Sequence, residues 1–143
     1  MKRLRRQAVE VDFDGGTLTS DGGLVLLREV DRRLDPIRRI DQAIPDPRDP
    51  IYTAHRQAEI LTSRIFGIAA GNEDANDHDQ LRHDPAFQVA AGRTPAQNNY
   101  GEEHQPLASP WTHCRFENRI DSKVIFDLHE VLVDTLHGLP CPR

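Results

Sequence analysis

A chain of 143 residues with 29% charged residues and a net charge of −5 is long enough for one domain and too ordinary in charge for wholesale disorder. Aromatics make up only 6%, so a small aliphatic core is expected, and ten prolines with nine glycines mark frequent breaks. No apolar run approaches the ~18 residues of a membrane span, no apolar stretch follows the basic start as in a signal peptide, and Cys114 and Cys141 form neither a metal pair nor a disulfide framework. A cytoplasmic protein with no membrane partner is the expectation.

The charge is uneven. Residues 1–39 carry +2, residues 40–105 carry −6 and residues 106–143 carry −1. An acidic middle argues against nucleic-acid binding by the whole surface, so any such contact should be local.

Residues 1–8 read as a basic tail, with Lys2, Arg3, Arg5 and Arg6 able to displace phosphate counterions. Val9 to Asp14 alternates apolar and acidic, which predicts a half-buried strand; Gly15-Gly16 could turn it into a hairpin with Thr17-Leu18-Thr19. Asp12 and Asp14 share one strand face but have no third ligand nearby, so they read as the polar side of an edge strand. Ser20-Asp21-Gly22-Gly23 opens a helix, capped by Ser20 or Asp21, with Leu24, Leu27, Val30 and Leu34 at helical spacing. The glycines resemble a phosphate cradle but lack the Lys-Ser/Thr of a P-loop. Pro36 starts a second helix with Ile37, Ile40 and Ile44 inside, and Pro45 to Pro50 reads as a stiff non-helical loop.

Tyr52 to Ala70 is the strongest helix prediction, with Ala54, Ala58, Leu61, Ile65, Ile68 and Ala69 as its apolar face and Gly71 as its stop. Arg56 and Arg64 fall on other faces. Asn76 to Leu81 reads as one or two further turns. Asp84 is placed to cap the next helix with Pro85 in its first position, and Gly92 to end it. Residues 93–106 read as an exposed linker. Ser109-Pro110 repeats the cap-then-proline signal, and Asp121 is placed to cap a last helix with Val124, Ile125, Leu128, Val131, Leu132 and Leu136 in its stripe. Residues 137–143 read as an unstructured tail.

Between Gly67 and Pro85 lie seven carboxylates and imidazoles: Glu73, Asp74, Asp77, His78, Asp79, His83 and Asp84. An EF-hand fails, because Asp79 stands where the loop needs Gly and Pro85 where it needs Glu. Zinc lacks a third nitrogen or sulfur ligand beside His78 and His83, and the His55–Glu59 pair has no second histidine to complete a zincin pattern. Convergence of Asp74, Asp77 and Asp84 would give a small self-contained metal-dependent nuclease, which is the alternative reading of function. A structural reading accounts for more: Asp84 as a cap, Asp77 and Asp79 at the positive end of a helix dipole, Asn76 as a turn former.

Three stretches taken together resemble the N-terminal part of bacterial insertion-sequence transposases of the DDE type. They are Thr19 to Leu27 (with Asp21, Gly22 and Gly23), Gly71 to Pro85 (with Asp74, Asn76, Asp77, His78, Asp79, Leu81, Arg82, Asp84 and Pro85) and Leu107 to Asn118 (with Arg115, Phe116, Glu117 and Asn118). The family motif reads Leu-Ala-Ser-Gln-Pro-Thr in the third stretch, where this chain has Pro110-Trp111 in place of Gln-Pro. The resemblance implies a role in DNA transposition. It also implies Mg²⁺-assisted strand cleavage and transfer by an RNase H-like core whose first aspartate lies beyond the third stretch.

On that reading the expected fold is mainly α. It is an assembly of about five to seven short helices with an N-terminal strand or hairpin, lacking the RNase H-like α/β core. The motif residues are expected to be structural, with no catalytic residue, no metal and no cofactor in this chain. Residues 9–92 form a helical domain, and 107–136 lead toward the catalytic domain. Element-end DNA is the partner expected for the full-length protein, and self-association is compatible with it. The DNA-contact candidates are Lys2, Arg3, Arg5, Arg6, Arg56, Arg64 and Arg82.

Overall fold

Prolines at first helical positions and glycines just past helix ends set the frame of this molecule. The computed structural model describes residues 21–93 and 106–137; among them are seven α-helices and two 3-10 turns, and no strand. The expected strand or hairpin over Val9–Thr19 lies outside the described residues.

Helix α1 spans Leu24–Leu34. Its N-cap is Gly23, with no side-chain cap bond; Asp21 contributes its backbone carbonyl to Leu24 N at 2.9 Å instead of the side-chain cap expected. The corner to α2 (Pro36–Ala43) is the single residue Asp35, at φ 58°. Aspartate tolerates this left-handed geometry better than most residues, and Pro36 then starts α2 with φ already set. Asp31 reaches across the corner to accept from Ile37 N at 3.1 Å.

The helix predicted from Tyr52 begins five residues later, as α3 (Gln57–Ala69). Pro50–Tyr52 forms a 3-10 turn capped by Asp49, starting at the last residue of the stretch expected to be non-helical and ending at the first residue of the expected helix. Thr53 and Arg56 are extended, so the helical path is broken before it can propagate. The apolar face also differs from the one expected. Ile60, Leu61, Phe66 and Gly67 are buried with Gln57 and Ser63, while Ile68 and Ala69 face solvent. Gln57 tolerates burial because its amide donates to Ile44 O at 2.8 Å and Asp41 O at 3.2 Å.

Gly71 ends α3 at φ 92°, with Asn72 N bonded to Gly67 O and Gly71 N to Ile68 O, the six-to-one and five-to-two pair of a Schellman motif. Gly92 ends α5 (Pro85–Ala90) in the same way at φ 87°. Between them lie a 3-10 turn (Ala75–Asp77) and α4 (His78–Leu81). Helices α6 (Pro110–Glu117) and α7 (Ser122–His137) complete the order, with Ser109 capping α6 and Asp121 accepting from Val124 N at 2.9 Å.

Helix α1 packs on α5, α2 on α3 and α7, and α3 on α5 and α6. The core this makes is aliphatic apart from Phe66, Phe87 and Phe116, with Leu24, Ile37, Ile60 and Leu107 among its most buried members. Helix α7 is less covered than its apolar stripe suggests, since only Val124 is buried and Ile125, Phe126, Leu132 and Leu136 are exposed. No helix among the described residues is long and apolar enough to cross a membrane.

Candidate functional site

The polar turn after α3 folds back onto α3 and α6. His78 and His113 are both fully buried, with ring centroids 4.0 Å apart and planes inclined by 31°. His113 is a third imidazole that His78 and His83 lack in their own stretch; the chain brings it from 35 positions away. Gly67 makes room for the stack, because a Cβ there would sit 3.1 Å from His78 Nε2. Ser63 Oγ donates to Ile60 O at 3.0 Å and lies 3.4 Å from His113 Nε2. A hydroxyl has one hydrogen, so Nε2 of His113 is the donor in that contact. Both rings are held neutral. Burial pushes His113 down to about 3, helped by His78 and Arg64, and pushes His78 down as well, with Arg64 adding to it.

Arg64 joins the second and third sequence stretches. Its Nε donates to Glu117 Oε1 at 2.6 Å and its NH1 to Glu73 O at 2.9 Å. Leu107 N donates to Arg82 O at 3.1 Å, which also accepts from Gln88 Nε2 at 3.2 Å. Asp84 Oδ1 accepts from Ala86 N and Phe87 N at 2.7 and 3.1 Å, and Asp74 Oδ1 from Asn76 N at 2.9 Å. The convergence of Asp74, Asp77 and Asp84 needed by a nuclease does not occur. Among the described residues no three His, Cys, Asp or Glu side chains are placed to hold a metal ion. Two of the three carboxylates bind backbone N–H groups instead, so a Mg²⁺ pair does not fit here.

Of the seven expected DNA contacts, Lys2, Arg3, Arg5 and Arg6 lie outside the described residues. Arg64 is committed to Glu117 and Glu73. Arg82 donates from Nε to His83 Nε2 at 3.1 Å. Arg56 is exposed, at the residue that precedes α3. Residues 93 and 106, the two ends of the expected linker, are bonded to each other, and Arg93 to Glu59 of α3; residues 94–105 lie outside the described residues. Arg93 donates to Glu59 Oε2 and Oε1 at 3.0 and 2.9 Å and to Pro106 O at 3.1 Å. His55 precedes α3 but still meets Glu59 at 2.7 Å. Burial alone would raise the Glu59 carboxyl; the bonds from His55 and Arg93 outweigh it and hold it below the usual range.

On the other flank of α3 a cleft of about 480 Å³ opens between the 3-10 turn at Pro50–Tyr52 and α6. Arg48, Tyr52, His55, Arg115, Phe116 and Arg119 line it. Asp46 carries two of its arginines, Arg48 at 2.7 Å and Arg119 at 3.0 Å, and is itself held at about 2, chiefly by Arg48. Arg119 also lies 5.3 Å above the Phe116 ring and donates to Gln57 Oε1 at 2.5 Å. Arg115 is exposed and makes no hydrogen bond or ion pair among the described residues. Tyr52 is 87% exposed and Trp111 68%. Of the cleft residues, Thr112, Arg115 and Phe116 belong to the stretches that carry the resemblance, and Trp111, Arg115 and Arg119 recur every fourth position, the spacing of one helix face.

No curated protein and no solved structure matches the chain significantly. Residues 1–139 match the family described as transposase DDE domain group 1. The match covers nearly the whole sequence, including all three stretches that carry the resemblance; the chain belongs to the DDE transposase family.

Proposed function

We propose that this chain is the N-terminal helical part of an insertion-sequence transposase, acting in DNA transposition by holding element-end DNA beside a catalytic domain and cutting nothing by itself. The observation that carries this reading is the fate of the acidic motif. Asp74 and Asp84 cap a turn and a helix, Glu117 is paired with Arg64, and the only imidazoles buried with them are neutral. In-line displacement needs carboxylates free to clamp two ions, and these are engaged elsewhere. The Mg²⁺ chemistry of the family therefore falls to residues outside the described helices. In the cytoplasm, residues 9–92 and 107–136 would work as one platform for that domain, with a second copy of the chain as a further partner.

DNA contact is assigned to Lys2, Arg3, Arg5 and Arg6 of the tail and to Arg56. Replacing any one of these by Gln should make the log–log salt slope on duplex DNA shallower by ~0.9. The test combines duplex binding at rising salt with incubation of supercoiled plasmid in Mg²⁺ or Mn²⁺. Salt-sensitive binding with intact plasmid is expected. Cleavage that Asp77→Asn abolishes at unchanged thermal stability would overturn the reading and restore the nuclease.

A further inference from the structure

The cleft beside α3 concentrates positive charge on an acidic chain. Its lining includes three guanidinium groups and one carboxylate, Asp49, which is occupied in accepting from Ile51 N at 2.9 Å. Its volume of about 480 Å³ is within the range of small-molecule sites, roughly 300–1,000 Å³. Arg48 and Arg119 share the single carboxylate of Asp46, so together they keep surplus positive charge. Arg115 lines the cleft with them and has no protein partner among the described residues.

The aromatic groups decide what kind of anion suits it. Tyr52 lines the cleft yet leaves most of its ring in water, and Trp111 projects from α6 one turn before Arg115, on the same helix face. Phosphates of a duplex need only the arginines. Exposed rings beside arginines suit bases that have left their stack, because each base offers a π-face to an aromatic side chain. A paired base cannot enter a concave socket without unpairing.

We infer that this cleft receives an unpaired stretch of DNA, with Tyr52 stacking on a base and Arg115, backed by Arg48 and Arg119, holding the adjoining phosphates. The inference rests on the transposase reading above and names the form of DNA that this surface takes. Unpaired strands arise wherever a DNA end frays or is opened, so the cleft would hold an end that duplex contacts have already located.

Trp111 is the only tryptophan of the chain, so its fluorescence reports binding at α6 directly. The full chain is titrated with single-stranded oligothymidylate, an abasic strand of equal length, the corresponding duplex, and thymidine monophosphate. Oligothymidylate should quench Trp111 and bind at least ten-fold more tightly than the abasic strand or the monophosphate. Tyr52→Ala should weaken oligothymidylate about five- to a hundred-fold, as loss of one base–aromatic stack does, and leave duplex binding unchanged; Tyr52→Phe should restore it. Arg115→Gln should weaken oligothymidylate and abasic strand alike and lower the single-strand salt slope by about 0.7. Equal affinity for abasic and base-bearing strands, a silent Tyr52→Ala, or monophosphate binding as tightly as the strand overturns the inference. If duplex still binds in those cases, the transposase platform stands and only the cleft assignment fails. Binding of neither form of DNA overturns both.

Discussion

The two flanks of α3 use the same residue types for opposite ends. On one side His78 and His113 stack in the interior, and Arg64 beside them spends its bonds on protein groups, Glu117 and the Glu73 carbonyl, at the edge of that interior. On the other side Arg115 and Tyr52 face solvent, and two arginines crowd one aspartate. The first flank holds the acidic second stretch and part of the third; the second takes Thr112, Arg115 and Phe116 from the third and otherwise residues with few chemical cues in sequence. Chemistry-bearing side chains become structural when packing or an internal partner ties them up, as Glu117 does for Arg64 and as burial does for the two neutral imidazoles. A site is better sought where charge and aromatic surface are left over.

Core truncation should separate the flanks most. Phe87→Ala, in α5, the helix that packs on α1, should lower stability by about 3–5 kcal/mol, read by urea unfolding. A drop below about 1 kcal/mol would mean that this flank is loosely packed.

The next effect is that of pH. His78 and His113 are depressed in the fold, His113 to about 3, so below the ordinary value of 6.5 the unfolded chain takes up protons that the folded chain refuses. Stability contributed by their neutrality is complete above pH 6.5 and drains away as pH falls toward about 3. One such histidine accounts for about 2 kcal/mol between pH 6.5 and 5. Thermal melts across that window should show it, above the range where carboxylates titrate. His113→Phe keeps a ring against His78 without the titration and should make the acid limb shallower. An unchanged limb would place both imidazoles in water.

Asp84→Ala should cost about 1 kcal/mol by removing the cap of α5. Lower stability without any change in DNA binding sharpens the contrast; weaker binding at full stability would move Asp84 to the functional side. Smallest of all should be the cleft substitutions: Tyr52→Ala and Arg115→Gln ought to stay within about 0.5 kcal/mol of the parent in stability, measured in the same melts. A larger drop in either would show that the cleft residues are themselves part of the scaffold.

Helix ends are the most legible part of the chain. Gly71, Gly92, Asp84-Pro85, Ser109-Pro110 and Asp121 act within a few residues of themselves, so local pattern is enough to place them. The buried face of α3 is not legible, because Gln57 and Ser63 enter the interior on hydrogen bonds that sequence periodicity ignores. Ile68 meanwhile falls in the last turn, beyond the helices that cover α3. His113 carries no local signal between Thr112 and Cys114, since nothing nearby in sequence tells a stacked imidazole from an exposed one. The cleft is hidden for a similar reason: Tyr52 and Arg115 are far apart in sequence and meet only through the packing of α6 on α3. The Trp111-Arg115-Arg119 spacing is the one signal that could have found it.

The guanidinium of Arg93 has a consequence for how the gene can be handled. It grips Glu59 and the carbonyl of Pro106, so residues 93 and 106 are tied to the helical body at one fixed point. Residues 93 and 106 are thus held together by the fold and not by the peptide bonds between them. Lengthening a closed loop is cheap, about 0.6 kcal/mol for each doubling. A fluorescent domain spliced between 94 and 105 should leave the helices in register, and a protease cut there should yield two halves that migrate as one particle.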